Sequence, residues 1–112
     1  MIDRDLLEAA AKAAGLVYRI HVRDHTWWVE VPRPGTQSNR STDWVIWDPL
    51  TDDCDALRLA VQLELEIRPN TRSIIVSCKG AWQEVPRDLD GDYAATRRAI
   101  VRAAASMVQD LI

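Results

Sequence analysis

Trp44-Val45-Ile46-Trp47-Asp48-Pro49-Leu50-Thr51-Asp52-Asp53-Cys54-Asp55-Ala56-Leu57-Arg58-Leu59-Ala60 is the stretch that decides how this chain is read. A short apolar run with two tryptophans meets a proline, then a cluster of acids, then apolar residues at helical spacing. That order delivers a strand into a helix. The acids Asp48, Asp52, Asp53 and Asp55 admit two readings. They could serve as oxygen ligands for Mg²⁺ or Ca²⁺ in a small metal-dependent enzyme, but the spacing fits no EF-hand loop. Alternatively they start the helix. Thr51 or Asp52 caps it, Asp53 and Asp55 sit at the positive end of the helix dipole, and Asp48-Pro49 shapes the turn. The second reading is preferred.

Within this helix Ala56, Leu57, Ala60 and Leu63 form the expected buried stripe, with Asp55, Arg58 and Gln62 on the wet side. At 100° per residue Asp53 falls on the buried stripe. In the last helix Arg97 likewise falls among apolar positions. An unpaired charge on a buried face is costly, so Asp53 and Arg97 are expected to form a structural ion pair.

Working outward, Asp3 is read as the cap of a first helix running to about Ala14. Leu6, Leu7, Ala10, Ala13 and Ala14 lie on one side of it, and Gly15 is a left-handed stop. Leu16 to Val22 alternates as a strand, and Trp27 to Val31 resumes after a short polar turn, which makes a hairpin. Residues 32–43 contain no aliphatic side chain and read as a mobile loop within one domain spanning 1–112. Trp44 to Trp47 is a third strand. Leu65 to Arg68, Arg72 to Cys78 and Ala81 to Val85 follow as strands around Pro69-Asn70 and Lys79-Gly80. Asp92 is read as the cap of a last helix to about Leu111. Its expected core face is Tyr93, Ile100, Ala104, Met107, Val108 and Leu111, with Arg98, Arg102 and Gln109 outward. Three helices and about six strands joined by short links predict one α/β domain of the α+β type, a mostly antiparallel sheet covered by helices.

The chain has 112 residues, 47% apolar and 28% charged, enough to bury roughly 65% of the surface of its unfolded form. Asp3, Asp5 and Glu8 stand where a signal peptide would be basic, and no apolar run approaches bilayer-spanning length. A cytoplasmic protein is expected, with Cys54 and Cys78 reduced. A net charge of −3 argues against a dedicated nucleic-acid binder, whose affinity comes largely from neutralising phosphates.

Three blocks together resemble the phage ABA sandwich domain family of small phage and prophage proteins. They are Leu6-Leu7-Glu8-Ala9-Ala10-Ala11-Lys12-Ala13-Ala14-Gly15, then Trp47-Asp48-Pro49-Leu50-Thr51-Asp52-Asp53-Cys54-Asp55-Ala56-Leu57-Arg58-Leu59-Ala60-Val61, then Tyr93-Ala94-Ala95-Thr96-Arg97-Arg98-Ala99-Ile100-Val101-Arg102-Ala103-Ala104. The second and third are the specific ones. The chain departs from the family pattern at Asp48, where asparagine is usual, and at Cys54, where glycine is usual. The resemblance implies an α-β-α sandwich and a phage or prophage gene, and it brings no activity with it.

Cys54 lies at a helix start, where a thiol is activated, but Asp53 and Asp55 flank it and oppose that effect. His21 and His25 straddle a strand end and a turn, a poor arrangement for chelation. Arg98 and Arg102, with Arg68, Arg72 and Lys79, could make a basic patch beside a tryptophan for single-stranded nucleic acid. A solvated helix face is the plainer reading. Five tryptophans and no phenylalanine are the unusual feature. Trp27 and Trp44 alternate in phase with Val29 and Ile46 and are assigned to the core, while Trp47 opens the acidic turn. Trp28 and Trp82 alternate with Glu30 and Glu84, so they are candidate anchors for a protein partner. With no nucleophile–base pair and no phosphate cradle, the expected function is non-catalytic. It is a phage accessory protein, without cofactor or metal, that binds a host protein or a second copy of itself.

Overall fold

The computed structural model describes residues 2–33, 43–78, 81–87 and 91–109. Its elements in chain order are α1 (Asp3–Ala13), β1 (Arg19–Arg23), β2 (Thr26–Pro32), β3 (Trp44–Ile46), α2 (Asp53–Gln62), β4 (Glu66–Pro69), β5 (Ser73–Cys78), β6 (Ala81–Pro86) and α3 (Asp92–Gln109). These make a single α+β domain with antiparallel pairing throughout. The strands divide into two three-stranded sheets, β1-β2-β3 and β4-β5-β6, where the sequence reading expected one. The first sheet meets α1 through β2, and the second is covered by the long helix α3. That helix packs against α1 and α2 and against β5 and β6.

Small residues make that position possible. Ala95, Ala99, Ala103, Ala104 and Ala105 of α3 and Ala10, Ala11 and Ala14 at α1 are buried, which lets helix backbones approach closely. Val76, Ile74 and Val85 of the second sheet complete the core on one side of α3, and Val29, Val31 and Trp47 line it beneath the first sheet. Trp47, at the opening of the acidic turn, is therefore a core residue. Its N–H reaches the Val29 carbonyl at 2.8 Å, carrying the β2 pairing one residue past β3.

Local chemistry sets the ends. Gly15 has φ +70°, and Leu16 N–H and Gly15 N–H return to the carbonyls of Ala11 and Lys12 at 3.0 Å, the Schellman closure of α1. The same closure ends α2 through Leu65 and Glu64, with Glu64 at φ 55° where glycine would be unstrained. Asp24 and His25 both take positive φ, as a two-residue hairpin turn of the primed type requires. The base of the 32–43 loop is closed by Arg33 N–H on the Asp43 carbonyl; residues 34–42 lie outside the described residues.

Two of the three expected caps are placed differently. Ile2, not Asp3, holds the N-cap position of α1, with its carbonyl accepting from Leu6 N–H at 3.1 Å. Asp3 is thereby in the first turn, free to pair with α3. Asp92 is the first residue of α3, and its carboxylate lies 3.5 Å from Arg87; the Gly91 carbonyl before it accepts from Ala95. Asp52 does cap α2, accepting from Cys54 N–H at 2.9 Å.

Candidate functional site

The acids on either side of Pro49 are each held by a separate group. Asp48 Oδ1 accepts from Leu50 N–H at 3.1 Å, Asp52 from Cys54 N–H, and Asp55 Oδ2 from Asp48 N–H at 2.9 Å. Asp53 Oδ1 lies 2.6 Å from Arg97 Nη1. Among the described residues no three His, Cys, Asp or Glu side chains gather closely enough to hold a metal ion.

The structure brings Asp53 and Arg97 together, yet Asp53 is not buried: its side chain is 70% exposed, against 19% for Arg97. Arg97 is also anchored by its Nε on the Leu50 carbonyl at 2.9 Å, so it clamps the acidic turn to α3. The buried acid is Asp55, which the sequence placed on the wet side. Burial raises its carboxyl above the usual aspartate range, the Asp48 N–H opposes that shift, and nearby Asp52 reinforces it. Both differences have one cause. Ala56, Leu57, Leu59, Ala60, Val61 and Leu63 cover more than half the helical wheel, so their pattern fits more than one phase. Tertiary packing selected Ala56, Leu59 and Ala60 for the core.

The consequence is an exposed ridge, Asp53, Leu57 and Val61, along the outer side of α2. Leu57 is 62% exposed and Val61 is exposed with it. Tyr93, expected in the core face of α3, is 78% exposed because it stands at the helix start, beyond the sheet that α3 covers. Leu57, Tyr93 and Ile67 of β4 surround one groove of about 180 Å³, floored by Ala56 and Ile100 and rimmed by Asp53, Thr96 and Arg97. That volume is below the roughly 300 Å³ at which ligand pockets begin and suits a protruding side chain. The clue in the sequence was the surplus of apolar positions on α2; nothing there located the groove.

The other expected contacts fare unevenly. Trp28 is tied down on the outer face of the first sheet. Its Nε1 donates to Glu30 Oε2 at 2.9 Å, and its ring stacks on His21 at 5.3 Å. Glu30 Oε1 accepts from Arg19 Nε at 2.8 Å, and the Arg19 guanidinium lies over the Trp44 ring at 4.3 Å. His21 Nε2 is 3.1 Å from the same oxygen. The donors Trp28 and Arg19 hold the Glu30 carboxyl below its usual range. Trp44 therefore belongs to this outer cluster, and Ile46 beside it is exposed, so the expected core face of β3 is reversed. Trp27 keeps its expected side, partly buried against the core.

Trp82 is 59% exposed and lines a separate cleft of about 630 Å³ with Leu63, Cys78 and Met107. Arg98 does not point outward. It forks onto Asp3 of α1 at 3.1 and 3.4 Å, which removes it from any free basic patch. Arg102 is exposed, Arg68 pairs with Glu66 at 3.3 Å, and Lys79 lies outside the described residues. His25 sits exposed in the hairpin turn, while His21 stacks on Trp28 within β1. Among the described residues no helix is long and apolar enough to cross a membrane. Comparison with protein-family models, with curated proteins and with solved structures found no match to this chain.

Proposed function

We propose that this chain is a non-catalytic accessory protein of phage or prophage origin, working in the bacterial cytosol, that acts by binding protein on the face made by α2, β4 and the start of α3. One observation carries the reading: Leu57, Ile67 and Tyr93 stand exposed around one groove with a charged rim. Clustered apolar exposure with a polar rim is the signature of a protein contact surface. Support against the metal-enzyme alternative comes from the acid cluster, whose carboxylates are each occupied in holding the turn and the helix start. The three sequence blocks that resemble the phage family support the origin. Trp82 is a secondary contact at the opposite end of α2.

Capture from bacterial lysate, with an untagged copy of the chain added, tests the reading. The wild-type chain is expected to retain a protein that Leu57→Gln/Tyr93→Gln does not. Equal retention by both removes this face from the function.

A further inference from the structure

Among the described residues strand β4 is an edge of the second sheet, paired only with β5, and all four of its residues are exposed. An open edge is a template for another strand. We infer that its occupant is a second copy of this chain, with two β4 strands pairing antiparallel about Ile67 to make one continuous six-stranded sheet. The inference rests on the docking reading above and names the partner for that face.

Charge complementarity selects this partner. Glu66 and Arg68 flank Ile67 and share one side of the strand, where they touch each other at 3.3 Å. In an antiparallel pair centred on Ile67, Glu66 stands opposite Arg68 of the second copy, and Arg68 opposite its Glu66. Opposite charges directly across a sheet are favourable, while a parallel pair would oppose Glu66 to Glu66 and lose that. The other charged edge behaves differently. Strand β1 paired with itself about His21 would set Arg19 against Arg23, a repulsion between like charges.

The opposite side of β4 supplies the apolar contact. Ile67 pairs in register with Val76, which is buried against the helices, so Ile67 faces the helix layer and joins Leu57 and Tyr93 there. A two-fold axis perpendicular to the sheet leaves the helices of both copies on the same side. The two grooves then adjoin, and the Leu57 and Tyr93 ridges shield the central Ile67 pair from water. Self-complementarity of this kind is what a two-fold interface requires. Pro69, which lacks an N–H, limits the ladder on each side.

Sedimentation velocity across a wide concentration range reads the outcome. The wild-type chain is expected as a dimer that dissociates on dilution. Glu66→Arg and Arg68→Glu each place like charges opposite one another and are expected to weaken dimerisation roughly tenfold or more. The double exchange Glu66→Arg/Arg68→Glu restores opposite charges and is expected to return the dimer to within about threefold of wild type. Both positions are exposed, and circular dichroism checks that each variant is folded. A wild-type monomer at every concentration overturns the second copy as occupant. Lysate capture that still depends on Leu57 and Tyr93 would then leave the docking face standing with a different partner. A dimer that persists equally in both single variants overturns the β4 pairing.

Discussion

The outer face of the first sheet and the face formed by α2, β4 and α3 both place aromatic or apolar side chains outside the core, and they do so in opposite ways. On the first, every ring has a partner within the chain: Trp28 donates to Glu30 and stacks on His21, and Trp44 lies under Arg19, which is itself bound to Glu30. On the second, Leu57, Ile67 and Tyr93 stand exposed around a groove that none of them fills. Exposure of a large ring is therefore a weak sign of a binding face. Whether its chemistry is already satisfied at home is the stronger one.

Breaking the satisfied face carries the largest cost. Glu30→Ala strands the Arg19 guanidinium and the Trp28 N–H at once, and chemical denaturation is expected to show a loss of about 2 kcal/mol. Quenching of the Trp28 and Trp44 fluorescence should change with it.

A second test uses pH, because Glu30 and Asp55 shift in opposite directions. Glu30 lies below its ordinary value, so its contribution is present above the usual glutamate range and is lost as pH falls through the lowered value. Asp55 lies above its ordinary value. Its contribution is full below the usual aspartate range and is lost as pH rises through the raised value. Denaturation between about pH 3 and 7 should therefore show Asp55→Asn gaining on wild type as pH rises, and Glu30→Gln gaining on it as pH falls. Parallel curves would show that neither carboxylate is perturbed by folding.

The clamp beside the groove is weaker. Arg97→Ala loses both the Leu50 carbonyl and Asp53 and is expected to cost about 1–2 kcal/mol. Asp53→Ala, at an exposed carboxylate, costs less, and a double-mutant cycle should give a coupling of about 0.2–1 kcal/mol. The smallest effect belongs to the unsatisfied face itself. Leu57→Gln and Tyr93→Gln are expected to leave the stability of the dilute chain within about 0.5 kcal/mol of wild type. A larger loss would mean these side chains serve the fold instead of a partner.

Much of the architecture was legible because its signals are local. Gly15 marks the end of α1 and Asp52 the start of α2, each through a local preference that needs no distant contact. The meeting of Arg97 with the acidic turn was also legible, from one charge placed among apolar neighbours. Burial within α2 was not. A wheel with apolar residues on most of its circumference has no unique inward direction, so Asp53 and Asp55 exchanged environments and Leu57 moved to the surface. Alternation misled similarly in β3, where Trp44 and Ile46 share a face that turned outward.

Sequence alone determined the kinds of element, their order, the antiparallel hairpins and the helix start at Asp52, because torsional preferences, caps and turn residues act within a few positions along the chain. Only the tertiary structure decided that the strands part into two sheets, that Asp55 is the buried acid, and that Leu57, Ile67 and Tyr93 share a groove. Those outcomes depend on which of several apolar faces finds a complementary surface, and that is a property of elements packed together.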